Sequence, residues 1–129
     1  MKVDLFDRSR IPLLEKELDA FALRNKAIAN NIANIETPNY KRLDVGFEKQ
    51  LSDAIEAAKN NVDLSEKVDQ VEPEIEIDRS SILASGANNV DIDQEMAELA
   101  KNQLRFKLAA RLMSGMFSQI DKSITGGGQ

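Results

Sequence analysis

The run Asp91-Ile92-Asp93-Gln94-Glu95 places carboxylates at a spacing that resembles the opening of a calcium loop. Such a loop needs glycine at its sixth position, where Met96 stands, and glutamate at its twelfth, where Asn102 stands. Calcium is therefore set aside, and the acids read as the cap and first turn of a helix, where they meet free backbone N–H groups. Histidine and cysteine are both absent, which removes the usual general base near neutral pH, the thiolate nucleophile, the disulfide and the Cys-type zinc site. Gly126-Gly127-Gly128 has neither a preceding strand nor a Lys-Ser/Thr pair, so it is no phosphate cradle and reads as a flexible tail. Lys41 and Arg42, beside Tyr40, are either contacts for a carboxylate on a partner or two solvated charges flanking a turn. No pair of acids stands out as a catalytic couple. The residues thus assign no catalytic, cofactor-binding or metal site, no cofactor and no small-molecule substrate.

The elements that would hold these residues come from a chain of 129 residues, 42% hydrophobic but only 5% aromatic, which gives a thin supply of large core side chains. Apolar residues spread along helices in so small a chain need partner molecules to cover them. The formal charge of −5 repels phosphate backbones, and no stretch gathers enough Lys and Arg to reverse it, so nucleic acid is not an expected partner. Met1-Lys2-Val3-Asp4-Leu5-Phe6-Asp7 carries charges where a cleavable signal needs an apolar run, and no later stretch approaches the ~18 apolar residues of a membrane span.

A first helix is expected from Pro12 to about Glu36, with Glu15, Glu17 and Asp19 placed early for the helix dipole. Leu14, Leu18, Phe21, Asn25, Ile28, Ile32 and Ile35 follow 4-3 spacing, the seam of a heptad. That seam suits packing within the chain and between chains equally. Thr37-Pro38 ends the helix and Pro38-Asn39 marks a turn in which Asn takes a left-handed conformation. Leu43, Val45 and Phe47 alternate with Asp44, Gly46 and Glu48 as an extended segment, and Leu51, Ala54, Ile55 and Ala58 stripe a short second helix. Residues 59–89 are acidic with one alternation, Glu74 to Asp78, and fit a small hairpin, an extended arm or a segment disordered until a neighbour covers it. A long last helix follows, capped by Asp91 or Asp93 and stopped at Gly126; Ile92, Met96, Leu99, Gln103, Phe106, Ala110, Met113, Phe117, Ile120 and Ile124 form its seam, widened by Leu104, Leu108 and Leu112. The expected fold is mainly α, two long terminal helices packing as a coiled-coil-like pair and joined by a partly extended or disordered acidic middle. Its parts are 1–36, 37–90 and 91–129.

The stretch Ala29-Asn30-Asn31-Ile32-Ala33-Asn34-Ile35-Glu36-Thr37-Pro38-Asn39-Tyr40-Lys41-Arg42 resembles the signature near the start of flagellar rod, hook and hook-associated proteins. The family form has glycine where Asn39 stands, a change that a left-handed Asn accommodates. Leu43 to Leu51 and Asn89 to Leu104 are similar to the proximal rod proteins in particular.

This resemblance implies a structural subunit that is not an enzyme, exported unfolded by the flagellar type III apparatus and polymerised into the rod that crosses the periplasm in the flagellar basal body. The implied partners are further copies, other rod proteins, the rod junction protein, the basal membrane ring and the export apparatus. Asn30, Asn31, Asn34, Thr37, Pro38 and Tyr40 carry the motif turn, the asparagines capping or cross-bonding backbone groups. Leu14, Leu18, Phe21, Ile28, Ile32, Met96, Leu99, Phe106, Met113 and Phe117 are the expected assembly seam. A cytoplasmic coiled-coil adaptor or export chaperone would use the same stripes on a different client.

Overall fold

A computed structural model describes residues 10–59, 64–83 and 86–126. In chain order the elements are α1 (Arg10–Ala33), β1 (Leu43–Gly46), α2 (Glu48–Ala58), α3 (Leu64–Asp69), β2 (Glu74–Ile77) and α4 (Ile92–Thr125). The opening residues and the last glycines of the expected terminal segments lie outside the described residues.

Helix α1 is described from Arg10, with Pro12 in its first turn and no acid there, so the early acids Glu15, Glu17 and Asp19 sit further along than expected. It ends at Ala33, three residues short of Glu36. The chain breaks there because Asn34 and Thr37 close a turn of their own, Thr37 N donating to Asn34 O at 2.9 Å. Asn39 then takes φ 60°, the left-handed region that glycine occupies freely. Helix α4 begins where the acids predicted: the Asp91 carboxylate accepts from Asp93 N and Gln94 N. It stops at Gly126, whose N–H donates to Lys122 O at 2.7 Å. Its 34 residues span about 51 Å.

The alternating Glu74–Ile77 segment finds its partner in β1, antiparallel, with Leu43 opposite Ile77 and Val45 opposite Ile75. This strand pair, with α2 and α3, packs on one side of α1. The core there is Ala20, Ala27, Val45, Phe47, Leu51, Ala54 and Val71. On another side α1 runs antiparallel to α4, and Leu14 and Phe21 pack against Ala109 with Leu18, Met113 and Met116 around them. Ala20 and Ala27 are seven residues apart, as are Leu14 and Phe21, and the two pairs differ by one position. One helix therefore serves two neighbours with adjacent stripes about 100° apart. Of the acidic middle, the described residues hold α3 and β2, the latter exposed along its whole length.

The left-handed turn gives a direct test. Asn39→Ala should cost about 1–2 kcal/mol in urea unfolding, whereas Asn39→Gly should stay within a few tenths of the parent.

Candidate functional site

The motif turn is built from backbone groups that the end of α1 leaves free. Asn34 Nδ2 donates to Asn30 O at 2.8 Å, and Thr37 Oγ1 donates to Asn34 Oδ1 at 3.1 Å. Asn30 is exposed and, among the described residues, contributes its carbonyl and not its side chain. Asn31 is fully buried and uses its whole amide: Oδ1 accepts from Leu43 N at 2.8 Å and from Tyr40 OH at 3.1 Å, while Nδ2 donates to Leu43 O at 2.8 Å. It thus acts as one more strand residue facing the start of β1. Pro38 is exposed at the bend, ahead of Asn39.

The same Asn31 Nδ2 reaches Glu95 Oε2 at 3.1 Å, and the other carboxylate oxygen of Glu95 accepts from Arg42 Nε at 2.5 Å. Glu95 has 0% exposure and Arg42 only 6%. Arg42 was expected as a solvated charge or a partner contact. It is instead an internal cation, shared among Glu95, Asp44 at 3.1 Å and Asp78 at 3.7 Å. Burial opposes its charge, but the hydrogen bonds to Glu95 and Asp44 outweigh that and raise the guanidinium pKa. Burial, with the Glu95 charge beside it, raises the Tyr40 phenol. Lys41 stays exposed.

Two further asparagines strap the approach to α4 onto this knot. Asn88 Nδ2 is shared among the carbonyls of Asn34, Ile35 and Thr37 at 2.9 to 3.1 Å. Asn89 Oδ1 accepts from Arg42 N at 2.7 Å, and its Nδ2 reaches Asp78 O. A second ion pair clamps α2 to α1, with Arg24 donating to both oxygens of Glu48 at 2.7 and 2.8 Å. Burial opposes the Glu48 charge, yet Arg24 and Arg105 hold its carboxyl below the usual range.

Helix α4 meets α1 on a polar stripe. Its buried residues are Glu95, Asn102 and Ala109, seven apart, continued by the half-buried Met116. Asn102 Nδ2 donates to Phe21 O at 2.7 Å and to Asn25 Oδ1 at 2.8 Å, so the polar member of the α1 seam meets one of the two polar members of this stripe. The expected seam is offset by one position. Its members Met96, Gln103, Ala110 and Phe117 lie about 100° round the helix from Glu95, Asn102, Ala109 and Met116. Leu99, Phe106, Met113 and Ile120 fall between the two. Accordingly Met96 is 52% exposed, Phe106 37% and Phe117 53%, while Leu99 and Met113 are half-buried. On α1, Leu14, Phe21 and Ile28 are buried and Leu18 and Ile32 half-buried. The chain therefore brings the motif residues Asn31, Asn34, Thr37 and Tyr40 together, and leaves much of the α4 stripe uncovered.

Sequence patterns missed Arg24, Asn88 and Asn102, and read Arg42 and Glu95 only as a surface charge and a first-turn acid. The available signal was the seven-residue repeat Glu95-Asn102-Ala109, which apolar periodicity passes over because two of its members are polar.

Comparison with known proteins follows the same residues. The family model described as "Flagella basal body rod protein" matches residues 18–41, from mid α1 through the motif turn. Flagellar basal body rod protein FlgB of Bacillus subtilis is 39% identical over 127 residues, spanning 88% of this chain and 92% of the relative. The FlgB of Borreliella burgdorferi is 33% identical over 90% of this chain and 95% of its own length. That of Aquifex aeolicus is 26% identical over 96% and 98%.

Removing one partner of the buried pair should be severe. Glu95→Ala and Arg42→Ala should each lower unfolding free energy by about 3–5 kcal/mol, since each strands the other charge. The double variant should lose less than the sum of the two, by about 2 kcal/mol or more, in a urea double-mutant cycle.

Proposed function

The chain belongs to the flagellar basal body rod protein FlgB family, and from that membership we propose that it is a structural subunit of the proximal rod that polymerises through its terminal helices. Its place is the flagellar basal body, in the rod across the periplasm, reached through the flagellar type III export apparatus. Its neighbours are further copies, other rod proteins, the rod junction protein and the basal membrane ring. The role is mechanical and non-catalytic.

What carries this role is the outer stripe of α4. Met96, Phe106, Phe117 and Ile124 are exposed along a helix about 51 Å long, and α1 covers the adjacent polar stripe in their place. A contiguous apolar stripe on a soluble chain marks an interaction surface. Burying a side chain such as Phe against a neighbour is worth about 1.5–3 kcal/mol, so several per subunit suffice to order a filament. The seam of Leu14, Leu18, Phe21, Ile28 and Ile32 supports α4 from inside, and Leu99 and Met113 link the two faces. In this arrangement the residues Asn30, Asn31, Asn34, Thr37, Pro38 and Tyr40 maintain the fold that presents the stripe.

A strain lacking the gene should make no rod, hook or external filament and should be non-motile by swim assay and electron microscopy. The Phe106→Asp/Phe117→Asp variant should keep the parent circular dichroism spectrum yet fail to restore motility to that strain. Normal filaments in the deletion strain would refute the role, and a swimming double variant would refute the use of this stripe.

A further inference from the structure

A third face of α4 is also largely exposed among the described residues. Leu104, Leu108 and Leu112 repeat every four residues and are all exposed. Leu104 and Leu108 lie about 100° or more round the helix from both the Glu95-Asn102-Ala109 stripe and the Met96-Phe117 stripe, and Leu112 borders the former beside Leu13 and Leu14. Helical spacing sets Lys101 and Arg105 on one flank of these leucines and Lys107 and Arg111 on the other. Between Leu99 and Ile120 there is no acid at all, in a chain whose net charge is −5. The compensating acids are segregated elsewhere. Glu72, Glu74, Glu76 and Asp78 occupy alternate positions on and beside β2, with no base among them, and Ile75 and Ile77 stand exposed between them.

We infer that the acidic edge of β2 in one copy docks on the basic leucine stripe of α4 in the next copy, a contact that rests on the rod-subunit reading and adds a second, charge-matched joint to it. The spacings agree. Ile75 to Ile77 is two strand residues, about 6.6 Å, and Leu104 to Leu108 is four helical residues, about 6 Å. Glu74 to Glu76 and Lys107 to Arg111 repeat the same two lengths. Strand β2 is the outer member of its pair, and all four of its residues are exposed. A helix arriving edge-on therefore meets isoleucines from one face and glutamates from the other. A row of edge glutamates discourages a second strand, which leaves a basic helix as the better fit.

The occupant is a second copy because the two surfaces are different, complementary and carried by one chain. Within the chain they do not satisfy each other: Lys101 and Arg105 reach Glu98 and Glu48, and Asp78 reaches Arg42. Two basic stripes would repel, which rules out a two-fold pair that sets this face against itself. A contact between two different patches propagates from copy to copy, the geometry of a ring or helical filament.

Reversing charge on one side at a time tests this. Glu74→Lys/Glu76→Lys and Lys107→Glu/Arg111→Glu, introduced separately into the deletion strain, should each reduce flagellated cells by at least about tenfold, because like charges face each other across the joint. All four substitutions in one chain should restore flagellation to within about twofold of the parent. Circular dichroism of each purified variant should match the parent, since these side chains are exposed. The chain has no cysteine, so Ile75→Cys with Leu108→Cys should also give a disulfide-linked ladder in isolated basal bodies that neither single variant gives.

Normal flagellation in both charge-reversed strains, failure of the fourfold variant to recover, or absence of the ladder would overturn the contact. A defect confined to the helix reversals would assign the stripe to a different anionic partner and also overturn it. In each case the rod-subunit reading stands as long as the deletion strain lacks flagella; a flagellated deletion strain is what would remove that reading.

Discussion

A carboxylate with no access to water must be neutralised where it stands, and Glu95 meets that demand with Arg42 on one oxygen and Asn31 on the other. Those two partners come from opposite ends of the motif turn, and Glu95 itself lies in the first turn of α4. One side chain therefore joins the end of α1, the start of β1 and the beginning of the longest helix. Arg42 extends the joint to Asp44 and Asp78, and Asn89 ties the backbone of Arg42 to the segment before α4. Shifting α4 along α1 by one turn would leave Glu95, Asn31 and Asn102 without these partners, at a cost of about 1–3 kcal/mol for each neutral group and more for the charge. Register is fixed by polar chemistry that has one good arrangement.

That choice shapes the outside of the molecule. A helix has a limited circumference, and giving the stripe against α1 to Glu95, Asn102 and Ala109 leaves the larger apolar side chains to adjacent faces. Met96 and Phe117 then face outward on one side and Leu104 and Leu108 on another. The inner stripe specifies how the two long helices align, and the outer stripes leave large apolar side chains exposed, which the proposed rod role would bury between chains. A chain organised this way aligns its own helices without consuming the surfaces proposed to build a filament.

Much of this was legible in the residues. The Asp91–Asp93 pair and Gly126 marked the ends of α4, the Pro38-Asn39 pair marked a left-handed turn, and period-two alternation indicated β1 while leaving the Glu74–Asp78 segment open between a hairpin, an extended arm and disorder. The pairing of β1 with β2 was not legible, because alternation shows that a segment is extended and says nothing of its partner across the 27 positions from 47 to 73. The apolar seam of α4 was legible, but not that a neighbouring stripe is the one that meets α1. Apolar periodicity assumes that the greasiest stripe turns inward, and here the chain turns it outward and buries polar groups in its stead. Arg42 was misread for a related cause: its counter-ion Glu95 lies 53 residues away, beyond any local pattern.

The sharpest measurement follows from three methionines on α4. Met96 lies on the outward stripe, while Met113 and Met116 pack toward the core formed by Leu14, Phe21 and Ala109. Brief oxidation of the unassembled protein by dilute peroxide, read by peptide mass spectrometry, should convert Met96 to its sulfoxide several-fold faster than Met113 or Met116. Equal rates, or slower oxidation of Met96, would mean that α4 is rotated or undocked, and that the polar stripe does not hold it against α1.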